Sequence, residues 1–440
     1  MANAHLKKEP HRNRSTEILH LVYRAFEIAI LFAGHGISFA FRLISHMVFK
    51  RKSATARAAG EVLPKLFESL GATFIKIGQI LSSRPDLLPP EIIGPLSRLQ
   101  DSVAPFDSRK IPNLIEQAFG RPIDEIFESI DFTPCSSASI AQVHRARLKG
   151  GEVVALKIRR PGLLRKVESD LYILHCLVKF IELFPAARLV PMRGIAEEFG
   201  QAIRDQLDLD LEADNHRRIR RNLSDLKRVV IPRLYDDFCT ESILTMEYLD
   251  GLMRIDALDF NPSEREEAAA LGLQALYRML FVDGLIHADM HPGNVFFRRG
   301  IQFILLDFGL VAKLEDSDLT DFAHFFLGMA TNNGKECARI VHETATFQAA
   351  NYDRSKFESE MVKLIGRHSS KIARDFEVTQ FAIELFDTQR KSGIRGSTKF
   401  TMAIVSLVVF EGIAKQVYPD LDFQREARQF IPAIMSRAAR

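Results

Sequence analysis

Apolar positions recur at helical spacing from Thr16 to Phe127, and the run is broken at Pro85, Pro89, Pro90, Pro105 and Pro122. Proline lacks the backbone donor a helix needs, so these positions bound a series of helices. The pattern then changes. Ser139 to Leu148 and Glu152 to Arg159 are rich in strand-forming residues and are separated by Lys149-Gly150-Gly151, a hairpin signal that opens a small antiparallel sheet. Helical spacing resumes after Pro161-Gly162 and lasts to about Leu226. Two short strand-like runs follow, Val229 to Leu234 and Ser242 to Glu247, and further strand-like pieces lie at Val295 to Phe297 and Gln302 to Leu306 in an otherwise helical remainder. The predicted architecture is α+β: a small β-rich lobe and a large helical lobe joined near Tyr248 to Gly251, behind a helical N-terminal extension. The corresponding divisions are 1–60, a basic and apolar helical segment; 61–132, a helical extension; 133–250, the small lobe with inserted helices; and 251–440, the large lobe.

At 440 residues, with 47% hydrophobic and 26% charged residues, the chain is long enough for two to three folded domains, and disorder is expected only in its first dozen residues. A net charge of +3 gives no broad basic field, so nucleic acid is not an expected partner. The charge is uneven, however: Lys7, Lys8, Arg12, Arg14, Arg24, Arg42, Lys50, Arg51 and Lys52 face only Glu9, Glu17 and Glu27. This basic start borders the apolar stretch Ile18 to Phe49, which Arg24, Glu27, His35 and Arg42 interrupt. Carrying an Arg or Asp to mid-bilayer costs roughly 2.5–3.5 kcal/mol even on a lenient scale, so the stretch is expected to lie flat or to pack on protein. Phe400 to Phe410 is too short to cross a bilayer and reads as a core helix. Cys135, Cys176, Cys239 and Cys337 are widely spaced and form no metal or disulfide pattern, which suits a reducing, cytoplasmic setting; no export signal is evident.

The chemistry centres on His287-Ala288-Asp289-Met290-His291-Pro292-Gly293-Asn294, followed by a hairpin and then Leu306-Asp307-Phe308-Gly309. Phosphoryl transfer needs a carboxylate that orients or deprotonates the acceptor and oxygen donors that hold Mg2+ against ATP. Asp289 has the spacing of the first, and Asn294 and Asp307 of the second. His287 and His291 could instead be zinc ligands, but Pro292-Gly293 opposes a helix there and no glutamate of an HExxH motif lies between them. Lys157, in Val153-Val154-Ala155-Leu156-Lys157, would alone read as a solvent-facing strand residue. Beside the other motifs it becomes the strand lysine that holds phosphates, with Glu212 in the helical stretch Gln206 to Asn215 as its partner. Asp208 and Asp210 are alternatives on that stretch, and Asp208 shares a face with Glu212 at i, i+4.

From roughly Gly60 to Asp422 the chain resembles the UbiB/AarF atypical kinase family. The carriers are Lys76-Ile77-Gly78-Gln79, Ser137-Ala138-Ser139-Ile140-Ala141-Gln142, Val154-Ala155-Leu156-Lys157, Gln206-Leu207-Asp208, HADMHPGN and DFG. The resemblance implies a protein-kinase-like fold, ATP and Mg2+ as cofactors, and support of isoprenoid quinone biosynthesis, especially that of ubiquinone. It assigns nucleotide contacts to Ser137, Ala138, Ser139, Ile140, Ala141, Lys157, Glu247 and Leu249, with Asp289, Lys157 and Glu212 catalytic and Asn294 and Asp307 on the metal. The small Ser/Ala turn takes the place of a glycine-rich loop, so nucleotide placement is expected to differ from that in a protein kinase. Lys76 and Gln79 share a helix face and are similar to a built-in plug opposite Gln206-Leu207-Asp208. Gln206 stands where the family usually has glutamate, so Asp208 is expected to be the sole anionic partner for Lys76. Quinone-biosynthesis enzymes, isoprenoid precursors and an anionic membrane surface are the implied partners. Some family members continue into a C-terminal transmembrane hairpin; this sequence stops soon after Val417-Tyr418-Pro419-Asp420, so membrane contact is expected to be peripheral, through the N-terminal segment on a cytoplasmic face. Two alternatives stay open: a small-molecule phosphotransferase of the aminoglycoside or choline kinase type, and a non-catalytic, nucleotide-gated chaperone for lipid precursors.

Overall fold

The computed structural model describes residues 14–48, 53–99, 105–183, 192–369 and 377–438. The basic residues Lys7, Lys8, Arg12, Lys50, Arg51 and Lys52 lie outside that set. Four helices open the chain: α1 (Arg14–Val48), α2 (Ala54–Leu70), α3 (Ala72–Ser82) and α4 (Pro90–Leu96). Gly71, at φ +93°, separates α2 from α3, a backbone angle that residues with a Cβ adopt only under strain. Helices α5 (Ile111–Phe119) and α6 (Ile123–Ile126) lead into the small lobe.

That lobe holds β1 (Phe127–Ile130), β2 (Ser136–Ser137), β3 (Ala141–Leu148), β4 (Val153–Arg159), α7 (Leu163–Ile181), α8 (Met192–Leu207), α9 (Leu209–Asn222), β5 (Val229–Val230) and β6 (Ile243–Glu247). The sheet order is β1-β3-β4-β6, with β2 also paired to β3, and every pairing is antiparallel. Central β4 places Lys157 opposite Val143 of β3 and Leu244 of β6.

Two local predictions change. The run Val229 to Leu234 was expected to be one strand, but it is interrupted: Val229–Val230 pairs in parallel with a strand of the large lobe, while Leu234 makes only an isolated antiparallel bridge to Met246 of β6. Pro232 has no N–H to offer a ladder. The helix expected over Gln206 to Asn215 is two helices, because the Asp208 side chain accepts the N–H groups of Asp210 (3.0 Å) and Leu211 (3.1 Å) and so starts α9 afresh.

The large lobe contains α10 (Pro262–Arg278), β7 (Leu285–His287), β8 (Val295–Arg298), β9 (Gln302–Leu305), β10 (Val311–Lys313), α11 (Asp316–Ala330), α12 (Gly334–Glu343), β11 (Phe347–Gln348), α13 (Arg354–Ser369), α14 (Val378–Ser392), β12 (Ile394–Arg395), α15 (Thr398–Val417), α16 (Phe423–Ala427) and α17 (Ile431–Ala438). Its core is one aromatic-rich cluster in which Phe303 of β9, Phe410 of α15 and Phe322 of α11 are fully buried. A second core explains how the N-terminal helices dock: Phe67, Leu70, Phe74, Ile77 and Leu96 pack with Val167 and Leu171 of α7 and Ile203 and Leu207 of α8. The extension is therefore part of the small lobe's hydrophobic interior.

Among the described residues, two helices are long and apolar enough to cross a membrane, α1 and α15. The apolar run Phe400 to Phe410 is thus the middle of a longer helix than expected, yet 61% of the apolar window of α15 is buried, as suits a core element, against 6% for α1. The polar residues that interrupt α1 face the protein. Arg24, only 5% exposed, gives Nε to Asp170 Oδ1 (2.6 Å) and Nη2 to the Leu70 carbonyl (2.7 Å), while Arg42 and His46 both meet the Glu61 carboxylate.

Candidate nucleotide site between the lobes

Strand β4 carries Lys157 into the cleft, where its Nζ donates to Glu212 Oε1 (2.7 Å), Glu212 Oε2 (2.8 Å) and Asp307 Oδ2 (2.9 Å). One ammonium thus bridges two carboxylates drawn from α9 and from the segment after β9. Burial disfavours the charged amine, but the two acids outweigh it and raise the Lys157 pKa. Burial opposes ionisation of Asp307 too, yet the charges and hydrogen bond of Lys157, together with the Lys76 charge, hold its carboxyl well below the usual range. Glu212, fully enclosed, is pushed up to about 7 by burial, with the neighbouring Asp307 charge adding to the effect. The more open acid, Asp307, is therefore the one held firmly ionised, and its side chain remains 42% exposed toward the cleft.

Asp307 sits at φ +58°, the left-handed region, and its Oδ1 accepts the Gly309 N–H at 3.1 Å. The next residue fixes this pose. Phe308 is fully buried between the rings of His216 (4.8 Å) and His287 (5.2 Å), and Asn215 Nδ2 donates to its carbonyl at 3.2 Å. His287 itself ties two segments together: Nε2 meets the Leu306 carbonyl at 3.1 Å while Nδ1 accepts the Asp289 N–H at 3.2 Å. Burial keeps this imidazole neutral by lowering its pKa. Asn294 Nδ2 donates to the Asp289 carbonyl at 2.9 Å, which leaves the amide Oδ1 as its oxygen donor. The Asp289 carboxylate is partly exposed, with His291 Nε2 at 3.8 Å.

The Ser/Ala turn lies at the edge of the small sheet. Ala138 N–H donates to the Ala141 carbonyl (2.9 Å), and Arg160 grips the turn at three points: N to Ile140 O (2.8 Å), Nε to Ala138 O (2.8 Å) and Nη2 to Ser137 Oγ (2.9 Å). Ser139 is buried within it. At the joint of the lobes, Glu247 ends β6 and its carboxylate accepts the Arg233 N–H at 3.2 Å; Leu249 is half-buried beyond it. Arg160, Asn215 and His216 did not emerge from the sequence. Arg160 stands three residues after Lys157, but nothing local indicates that its side chain turns back to the loop.

On the opposite side, α3 brings Lys76, 9% exposed, into the field of Asp307. Asp208 is exposed and spends Oδ1 on the start of α9. Gln206 is buried and its Oε1 has no hydrogen-bond partner among the described residues; the same holds for Gln79 Oε1, although Gln79 Nε2 donates to the Leu99 carbonyl at 3.2 Å. Ile80 of α3 and Arg84 just after it face Ala288 and Leu310 across a residual cavity of only about 50 Å³.

The sequence matches the model of the ABC1 atypical kinase-like domain over residues 98–341, more than half of the chain. The chain belongs to the ABC1 atypical kinase-like family. A probable protein kinase UbiB of Tolumonas auensis is 33% identical over 383 residues, covering 85% of this chain and 70% of the relative. One from Pseudomonas putida is 33% identical over 398 residues, covering 89% and 73% respectively. Among solved structures, that of the Rv3197–erythromycin complex from Mycobacterium tuberculosis aligns with a TM-score of 0.57 at 20% identity, over 81% of this chain and 92% of that one. The ABC1 chain thus has a two-lobed, kinase-like fold with a helical N-terminal extension.

Proposed function

We propose that this ABC1 protein binds ATP with Mg2+ between its lobes and transfers the terminal phosphoryl group to water or a small acceptor in support of isoprenoid quinone biosynthesis, including that of ubiquinone. The observation that carries the reading is the Lys157 ammonium held between Glu212 and Asp307. A strand amine fixed by a buried helix carboxylate is what positioning of nucleotide phosphates requires. The relatives' name, probable protein kinase UbiB, supports the same reading.

The residues fit the cofactor. No cluster of three His, Cys, Asp or Glu among the described residues could hold an ion by itself. Magnesium in such enzymes takes one or two protein carboxylates and completes its shell with phosphate and water. Ionised Asp307 and the oriented Asn294 Oδ1 are that kind of partial donor set, and the ion they would hold neutralises phosphate charge. Lys157 binds phosphate oxygens, the backbone at Glu247 to Leu249 receives the base, and the Ser137 to Ala141 turn, clamped by Arg160, covers the phosphates. Asp289 orients the acceptor hydroxyl and takes its proton.

Release of inorganic phosphate from Mg-ATP by the purified chain and by Asp307→Asn tests the chemistry. Turnover is expected to vanish in the variant while its far-UV spectrum is retained; equal turnover overturns the assignment. Isoprenoid quinone content of the host lacking this protein tests the pathway, and unchanged content removes that half of the reading.

A further inference from the structure

The loop from His287 to Asn294 is folded around a histidine, His291, that neither the metal nor the nucleotide requires. The His291 N–H donates to the Asp289 carbonyl at 2.9 Å, and the His291 carbonyl accepts the Asn294 N–H at 2.9 Å. The ring is pinned as well, because its Nδ1 accepts the Gly293 N–H at 2.9 Å. A neutral imidazole has one donor and one acceptor nitrogen, so a ring that accepts at Nδ1 carries its proton on Nε2. Gly293 is part of the arrangement: a Cβ there would stand 2.6 Å from His291 Cε1 and 2.9 Å from Nδ1, so a larger residue pushes the ring aside.

The protonated Nε2 lies 3.8 Å from Asp289 Oδ2, and among the described residues no other basic side chain pairs with that carboxylate. The separation is too long for a hydrogen bond. Both side chains are partly exposed, 40% for His291 and 35% for Asp289, which leaves them room to turn. Catalytic hydrogen bonds commonly tighten only when substrate is bound. His287, by contrast, is sealed, and its contact is with the Asp289 backbone N–H. The two histidines therefore act on different parts of one residue.

We propose that His291 is a positioning residue for phosphoryl transfer: on acceptor binding its Nε2–H closes onto Asp289 Oδ2 and turns Oδ1 toward the acceptor hydroxyl. In the step itself, the acceptor oxygen bonds to the terminal phosphorus of ATP and the bond from that phosphorus to the bridging oxygen breaks. ADP leaves, and the hydroxyl proton passes to Asp289 Oδ1. His291 exchanges no proton; it fixes which carboxylate oxygen is free. The role rests on the phosphoryl-transfer reading above and adds a residue to it.

Steady-state phosphate release from Mg-ATP by the full chain, His291→Ala and His291→Gln tests this. His291→Ala should lower kcat about thirtyfold, the worth of one hydrogen bond to a charged group, with KM for ATP changed by no more than about twofold. His291→Gln, whose amide N–H can reach the same oxygen, should recover most of the loss. Gly293→Ala, which keeps the histidine but displaces its ring, should resemble His291→Ala. Equal losses in the Ala and Gln variants overturn the proposal, as does a raised KM at unchanged kcat or a Gly293→Ala variant as fast as the parent. Nitrogen NMR of the isotope-labelled full chain at about pH 8, where an imidazole is ordinarily neutral, gives a readout independent of turnover. With the His291 signal assigned by its loss in His291→Gln, the Nε2–H tautomer is expected, and the Nδ1–H tautomer overturns the proposal. Absence of phosphate release by the parent removes the transfer reading and this role together. Release by the parent with unchanged kcat in His291→Ala removes this role alone.

Discussion

Lys157 and Asp307, 150 positions apart in the chain, meet at 2.9 Å, and the same amine holds Glu212 with both carboxylate oxygens. Glu212 is the buried member. Removing its cation strands an acid in low dielectric, a change that typically costs about 3–5 kcal/mol. Lys157→Met should therefore lower unfolding free energy in urea by ~3 kcal/mol. Lys157→Met combined with Glu212→Met should lose less than the sum of the two single variants, because neither charge is then stranded. Additive losses would show that the pair is not the cause.

Arg160 should behave as a positioning residue for the nucleotide turn. Arg160→Gln loses the hold on Ser137 Oγ and the Ala138 carbonyl. The expected result is a KM for ATP raised about tenfold, equivalent to ~1.4 kcal/mol, with kcat much less affected. A fall in kcat at unchanged KM would place Arg160 in the chemical step instead.

Gly78 of the Lys76-Ile77-Gly78-Gln79 segment is a packing requirement. A Cβ there would overlap Leu99 Cδ1 and come within 2.7 Å of Phe67 Cδ2. Overpacking of this kind costs about 1–3 kcal/mol, partly offset by the better helix propensity of alanine. Gly78→Ala should lower the melting temperature measured by calorimetry; an unchanged or raised value contradicts the tight fit of α3 on α2.

His216 supplies a pH prediction. Burial lowers its pKa to about 4 from the imidazole's ordinary 6.5, while Nε2 contacts the Pro232 carbonyl at 2.6 Å. A base with a depressed folded pKa contributes stability that is present above about 6.5 and lost as the pH falls toward about 4. Its share is ~3 kcal/mol at most. Glu212 has the opposite sign: its raised pKa contributes stability below the usual carboxylate value that is lost as pH rises through about 7. Comparing the parent chain with His216→Gln across this range isolates the imidazole. The stability gap between them should shrink on acidification, and a gap independent of pH would refute the assignment.

Motifs were legible where chemistry is carried by short segments. The hairpin of β3 and β4, the loop from His287 to Asn294 and the DFG turn each show in local spacing and turn residues, since their hydrogen bonds close within a few positions. Side-chain direction was not legible. The break at Asp208 was hidden because helical periodicity runs through it, and only the capping bonds to Asp210 and Leu211 reveal two helices. The run at Val229 announced a strand but not its partner, which lies in the other lobe.

The order of motifs in the sequence determined by itself that the chain folds as a two-lobed kinase-like unit, because a strand lysine, a helix acid and an Asp-Asn-Asp series have to appear in that sequence for their elements to converge. Tertiary structure alone decided which acid is sealed and which stays open to the cleft, where Arg160 and Lys76 reach, and which face of α1 is left bare. Those outcomes depend on contacts between segments far apart along the chain, where burial and opposing charge, not local propensity, set the energies.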